Sequence, residues 1–293
     1  MSKSTKKIYK FALVGLIIIC VYVAFVISDK IIYKKELTFQ NKAVEIIILD
    51  VGQADAIIIR KGMRAILIDS GESIEDGKNI IRKLENYAIT NIEALILTHP
   101  HKDHIGGAVY VLENIKIKKI YMPNKAHTTE NFEKLVEEIE NQKIKLIEAK
   151  AGVILDSDGF DGEFLSPQET KYDDLNEYSA VLLLNYLGKH ALFMGDAGII
   201  NEKEILNNWS SGSLEFLKIG HHGSNTASSK EFLKRLDPKI AAISCGKDND
   251  YGHPHKEILE KLAKISSQVY RTDELGDLHF LWTDLGITYQ QGE

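Results

Sequence analysis

Ile92-Glu93-Ala94-Leu95-Ile96-Leu97-Thr98-His99-Pro100-His101-Lys102-Asp103-His104-Ile105-Gly106-Gly107 is the stretch on which the reading of the whole chain turns. Its first part is an apolar run that predicts a buried strand. Its second part crowds three histidines and an aspartate into six positions at the end of that strand. In an extended segment the side chains of residues i and i+2 project to the same side, so His99 and His101 can grip one ion together. Asp103 and His104 then begin a turn toward a second ion. Imidazole nitrogen with carboxylate oxygen is a donor set for zinc, and also for manganese or iron, and an incomplete shell leaves room for water or substrate.

Three later stretches answer to this one. Asp196 stands behind Gly195 after the apolar run Ala191-Leu192-Phe193-Met194, so its carboxylate projects from a strand end and is the candidate to bridge two ions. Phe216-Leu217-Lys218-Ile219-Gly220-His221-His222-Gly223-Ser224 again ends a strand in histidine, now doubled. One of the pair would close the second shell while the other hydrogen-bonds ligand or substrate, and His221, nearer the strand, is the first choice as ligand. Tyr251-Gly252-His253-Pro254-His255 repeats the His-x-His spacing without a carboxylate and precedes a helix that Pro254 would suit at its entry. It reads as a substrate-side loop, with His253 as proton donor to a leaving group.

A chain of 293 residues, 44% hydrophobic and 27% charged, has the balance of a globular protein with a sizeable core. Cys20 and Cys245 offer no disulfide framework, and Cys245 is expected to pack as a small hydrophobe. Residues 11–27 carry no formal charge, follow Lys3, Lys6, Lys7 and Lys10, and precede Lys30. They predict one transmembrane helix, with residues 1–35 forming basic tail, anchor and tether, a cytoplasmic N-terminus and a catalytic body outside the cell membrane. Seven lysines against Asp29 give residues 1–35 a charge of +6; with −6 for the whole chain, the remainder carries −12. So acidic a body lacks the basic footprint of a general nucleic-acid binder.

Within residues 36–293 three β-branched runs separated by Gly52 and Gly62 predict a strand meander, followed by a helix over 76–88 and the motif strand. Strands and amphipathic helices then alternate, with paired strands expected over 153–165 and hairpins around Gly188 and Gly286. No fixed-period repeat or Pro- or Ser-rich linker interrupts them. One layered α/β domain is the simplest account.

Asp69 after a strand, His99-x-His101-x-Asp103-His104, Gly195-Asp196 and the His221-His222 strand end together resemble the metallo-β-lactamase superfamily. Asp50-Val51-Gly52-Gln53-Ala54-Asp55-Ala56, the stretch from Leu217 through Ser224, and Tyr251-Gly252-His253-Pro254 resemble more closely the hydrolase domain of the ComEC family of DNA-uptake proteins. The resemblance extends over residues 44–290 and implies a four-layer αββα sandwich with a dinuclear site at one edge of its two sheets. It implies a first ion on His99, His101 and Asp196 and a second on Asp103, His104, Asp196 and either His221 or His222. Asp69 would orient a ligand from behind. Catalytic roles fall to Asp103, Asp196 and His253, and a water activated between two divalent ions, zinc first and manganese as the alternative, would be the nucleophile. The chain departs from many members in lacking a third histidine upstream of the bridging aspartate, where it has Asn176-Glu177-Tyr178-Ser179. ComEC-like proteins share this feature. It places Asn176 and Ser179, with Ser224 and His255, among outer-shell or substrate contacts, makes His127 a remoter candidate ligand, and leaves the first ion short of protein donors.

The expected activity is that of a membrane-anchored hydrolase acting on a phosphodiester, because two ions can stabilise both the attacking and the leaving oxygen. Nucleic acid and a wall-linked ester are the two substrate classes, the acidic body counting against long duplex DNA. With one anchor and no channel, DNA transport is not implied, and no protein partner is predicted. A phosphorylcholine esterase of the cell wall is the alternative hydrolase, and a metal-free surface binding module is the alternative of another class.

Overall fold

Alternating side chains sort the first strands of the chain onto two buried faces. A computed structural model describes residues 43–210 and 212–291; the predicted anchor, residues 11–27, lies outside them. Among the described residues no helix is long and apolar enough to cross a membrane. The meander forms as expected from β1 (Val44–Ile48), β2 (Ile57–Lys61) and β3 (Arg64–Ile68). Ile46, Ile48, Ile57, Ile59, Ile66 and Ile68 point to one core, while Ile47, Leu49, Ile58, Ala65 and Leu67 point to another. Period-two alternation with both faces apolar is the pattern of a sheet covered on both sides.

The rest of the first half comprises α1 (Ile74–Asn86), β4 (Asn91–Ile96), α2 (Lys102–Ile105), α3 (Ala108–Asn114), β5 (Lys116–Ile117), β6 (Lys119–Met122), α4 (Glu130–Gln142) and β7 (Lys145–Glu148). The second half runs β8 (Asp161–Ser166), a 3-10 turn at Leu175–Tyr178, β9 (Val181–Tyr186), β10 (Lys189–Phe193), α5 (Ile199–Asn208), β11 (Phe216–Lys218) and a second 3-10 turn at Gly220–Gly223. It ends with α6 (Lys230–Leu236), β12 (Ile240–Ile243), α7 (Lys256–Lys264), β13 (Gln268–Arg271), α8 (Thr272–Leu275), β14 (Leu278–Thr283) and β15 (Gly286–Gln290). The first sheet has the order β15-β14-β1-β2-β3-β4-β6-β7 with β5 beside β4, and the second β13-β12-β11-β10-β9-β8.

Three cores stack these elements into four layers. Isoleucines of the first sheet meet Phe164, Leu182, Phe193 and Phe216 of the second in a shared interior. The outer face of the first sheet is covered by Ile80 and Leu84 of α1, Val111 of α3 and Leu135 of α4. Ile205 of α5, Phe232 of α6 and Ile258 of α7 cover the second sheet. Each wholly buried Leu, Ile or Phe contributes about 1.5–3 kcal/mol through removal from water. Two local expectations change. The strand read over 116–122 breaks at Lys118, whose N–H pairs with Ile92 O. Of the paired strands expected over 153–165 only β8 is a full strand, answered by isolated bridges at Ile154 and Ser157, because the Asp156-Ser157-Asp158-Gly159 turn interrupts the first arm.

Strands β3, β4 and β6 run parallel, as do β10, β11 and β12. Asp69, His99, Asp196 and His221 therefore all leave carboxyl ends of strands from two facing sheets, the usual place for a ligand in such a fold.

Candidate metal centre

Four imidazoles are pinned at one ring nitrogen and aim the other at a single carboxylate. His104 Nδ1 donates to Asp69 Oδ2 at 2.7 Å. Asp69 is held in turn by Thr98, whose N–H donates to Oδ1 at 2.8 Å and whose hydroxyl donates to Oδ2 at 2.7 Å. With its proton so committed, Thr98 Oγ1 accepts from His99 Nδ1 at 3.1 Å. His222 Nδ1 donates to Ser244 O at 3.0 Å. Thr226 gives its hydroxyl proton to Ser224 Oγ at 3.0 Å and accepts from His221 Nδ1 at 2.8 Å. Each ring then presents Nε2 to Asp196: His104 at 3.4 Å, His222 at 3.6 Å, His221 at 3.7 Å and His99 at 3.8 Å. A ring whose second nitrogen is engaged by a carbonyl, hydroxyl or carboxylate is the arrangement found behind metal-ligating histidines.

A cation fits here. His104 Nε2, His222 Nε2 and Asp196 Oδ1 are buried and find no hydrogen-bond partner among the described residues, a state that buried polar atoms rarely keep. Around an ion with bonds of roughly 2.0–2.2 Å, neighbouring donors of a tetrahedron stand roughly 3.3–3.6 Å apart. Asp103 Oδ2 lies 3.6 Å from His104 Nε2 and 3.5 Å from His222 Nε2. With the Asp196 contacts these distances form such a shell, all four donors lying within 4.8 Å of one another.

The charges tell the same story. Burial opposes charge on His104, yet Asp196, Asp69 and Asp103 outweigh it and hold its pKa well above the ordinary value. His222 is raised likewise, burial being overcome by Asp196, Asp103 and Asp55. Burial alone would raise Asp196 and Asp103, but His104 and His222 bring both well below the usual carboxylate range. His99, buried and beside His104, is held well below its ordinary value. A metal cannot share Nε2 with a proton, so ions entering at His104 and His222 must displace protons there. Affinity for zinc should therefore rise as the pH climbs toward those raised values and fall on acidification. Calorimetry in buffers of different ionisation enthalpy should show net proton release, and a titration releasing none would remove these two residues from the ligand set.

The structure places the sequence-derived residues as follows. Asp103, His104, Asp196 and His222 come together, with Asp69 behind His104. Of the paired histidines, His222 is buried against both carboxylates, so the preference for His221 in that shell gives way to His222. Both adopt left-handed backbone, φ 49° and 53°, which fans their rings to two oxygens of Asp196; such strain in non-glycine residues concentrates at functional sites. His99 Nε2 and His101 Nδ1 stand 2.9 Å apart. Ser179 Oγ accepts from Asp196 N at 3.1 Å and lies 3.5 Å from His99 Nδ1. Ser224 and His255 do not line the cleft. Ser224 accepts from the Thr226 hydroxyl, and His255 Nδ1 accepts from Asn225 N at 3.0 Å, so both brace the turn that carries His221 from behind. His127 stands over His101, ring centres 6.1 Å apart.

A cleft of about 480 Å³ opens over the centre, lined among others by His101, Asp103, Asn176, Tyr251 and His253. Gln53 Oε1 accepts from Gly246 N, so its amide donates to His253 Nδ1 at 3.1 Å and leaves Nε2 carrying the proton. Burial, followed by His222, His255 and His221, lowers His253 to about 4. It is therefore a neutral hydrogen-bond donor at pH 7 rather than a store of a spare proton. Sequence reasoning misses Gln53, Asp55, Thr98, Lys218, Thr226 and Ser244. Two of them carried a usable signal: Asp55 and Lys218 are lone charges inside apolar runs.

Comparison with known proteins agrees with this geometry. The chain is 31% identical over 255 residues to the ComE operon protein 3 of Bacillus subtilis (strain 168), covering 80% of this chain and 33% of that protein. It is 30% identical over 250 residues to the competence protein ComA of Neisseria gonorrhoeae, covering 85% and 33%. It thus spans about a third of the length of these curated relatives. Among solved structures, Igni18, a metallo hydrolase from Ignicoccus hospitalis, shares the fold with a TM-score of 0.53 and 16% identity, over 80% of this chain and 98% of that one. The profile of the metallo-beta-lactamase superfamily matches residues 49–247, and with the two sheets and the histidine-carboxylate centre in place the chain belongs to that superfamily.

Proposed function

We propose that this chain is a membrane-anchored, metal-dependent hydrolase of phosphodiesters. The observation that carries the hydrolase reading is the set of four imidazoles pinned at Nδ1 and aimed at Asp196. Asp103, His104, Asp196 and His222 would hold one divalent ion, and His99 and His101 with Asp196 a second. The tetrahedral spacing of the first group suits zinc over an ion demanding octahedral geometry. When bound, such ions supply Lewis acidity and lower the pKa of a coordinated water. The buried, unpartnered nitrogens and oxygen of the centre speak against a metal-free binding module.

The chain's own residues would do the rest. His253, neutral and fixed in its Nε2–H form by Gln53, would donate to an oxygen of the substrate on the cleft side. Tyr251, 67% exposed and stacked on His253 at a ring separation of 5.5 Å, would meet the group next to the scissile bond. Lys102, the lysine at the cleft, is paired with Glu72 at 2.9 Å. With an acidic body around it, the cleft suits a short or single-stranded segment better than a long duplex. Similarity to competence proteins favours nucleic acid over a wall-linked ester. The anchor reading rests on the uncharged run 11–27 and its lysine flank, and β1 begins at the end of the first sheet opposite the cleft.

The test is hydrolysis of bis-p-nitrophenyl phosphate, single-stranded DNA and a phosphorylcholine ester by membrane and soluble fractions of cells making the full chain. Zinc- or manganese-dependent cleavage of the first two, in the membrane fraction, is the expected result. Cleavage of the phosphorylcholine ester alone would reassign the substrate. Activity confined to the soluble fraction would remove the anchor.

A further inference from the structure

Lys218 is the one lysine or arginine that is buried among the described residues, and it sits behind the metal centre. Its ammonium donates to Asp55 Oδ2 at 2.9 Å and to Ile219 O at 3.2 Å. Asp55 is buried as well. Its other oxygen, Oδ1, has no hydrogen-bond partner among the described residues and lies 3.8 Å from His222 Nδ1. The backbone of Asp55 is tied to the motif loop, its N–H donating to Asp103 O at 3.1 Å and its carbonyl accepting from Gly71 N at 2.8 Å. A carboxylate oxygen of Asp55 also lies within 4.8 Å of donors from Asp69 and His104.

A fully buried ion pair is a poor device for stability, since apolar residues of like volume commonly do as well or better. Its position explains more. The pair joins the strand end that delivers His222 to the loop that delivers Asp103, and so spans the seam between the two halves of the shell. Without a counter-charge Asp55 would be an unpaired carboxylate within reach of the ligands, free to draw His222 away from the centre or to compete for the ion.

We propose that Lys218 and Asp55 form a positioning pair for the metal centre: Lys218 occupies Asp55, which keeps that carboxylate out of the ligand set and fixes His222 opposite Asp103. This rests on the metal-centre reading above. The pair touches no substrate, and its effect would pass through His222 and Asp103.

The experiment compares the full chain with Lys218→Met, Asp55→Asn and the double variant, reading metal per chain by elemental analysis and zinc affinity by chelator competition. Lys218→Met strands a buried carboxylate and is expected to lose stability along with affinity. The double variant removes both charges and should melt within a few degrees of the parent. If the pair positions ligands, the double variant and Asp55→Asn will still bind zinc about 10–100-fold more weakly, the range for outer-shell partners of a metal site. Parental zinc affinity in either folded variant would overturn the proposal and leave the pair a structural one. A double variant that does not fold would also overturn it, by showing that the pair serves the core. Absence of zinc binding in the parent chain would instead overturn the metal-centre reading, so the two failures are distinguishable.

Discussion

Asp196→Asn should abolish hydrolysis and strip the centre of at least one ion while leaving the fold intact. Asp196 is the residue that all four pinned imidazoles share, its Oδ2 facing His99, His104 and His221 and its Oδ1 facing His222. An amide preserves the volume and one acceptor but removes the charge and gives two donors, which point at nitrogens that must themselves remain unprotonated to bind metal. The loss should exceed the roughly 100-fold that follows removal of an outer-shell partner. The backbone of Asp196 is secured independently by Ser179 Oγ, so circular dichroism and the melting curve of the metal-free protein should change little. Elemental analysis and turnover of bis-p-nitrophenyl phosphate check both halves. Unchanged activity would show that the two half-sites are not joined through this carboxylate.

Gly106→Ala should be the most damaging substitution away from the ligands. A Cβ at Gly106 would stand 2.0 Å from Glu72 O and 2.2 Å from Glu72 C. The obstacle is backbone, held in place by the hydrogen bond from Gly106 N to Gly71 O at 2.9 Å, so it cannot swing aside as a side chain would. Gly107 meets Ser70 O at 2.3 Å in the same way. The paired glycines thus let the ligand loop lie directly on the segment that follows Asp69, which is why His104 and Asp69 reach each other at 2.7 Å. Overpacking typically destabilises by 1–3 kcal/mol, and against rigid backbone the upper end is expected, about 3 kcal/mol. For a domain of this size that lowers the melting temperature by roughly 6–12 °C. Zinc affinity should fall with it, because the inserted methyl pushes His104 from Asp69. A melting temperature within two degrees of the parent would show that the two loops are not in register.

The meander, the motif strand and the alternation of layers are legible in the sequence because each rests on local period: β-branched residues every second position, apolar residues at helical spacing. The first half-site is legible for the same reason, since His99 through His104 lie on one short stretch. The choice between His221 and His222 is not legible. It depends on two successive left-handed residues, a conformation that spacing does not announce, and on Ser244 O accepting from the Nδ1 of His222. Lys218 and Asp55 are visible as charges in apolar runs, but 163 residues separate them and only the packing of two sheets reveals them as partners. His253 is legible as a cleft histidine, whereas its neutrality depends on burial and on three neighbouring histidines, and its tautomer on Gln53.

The centre is drawn from both sheets, His99 through His104 from the first and Asp196 through His222 from the second. An ion held between them is a rivet through the sandwich. It closes a chain loop of roughly 120 residues, the kind of long closure from which a clip gains most in theory. Its binding energy is then also energy of assembly, because a chain with the sheets apart holds only half a shell. Chelation would accordingly do more than silence the hydrolase: it would leave the two sheets held by their shared apolar interior alone and lower the melting temperature of the whole sandwich.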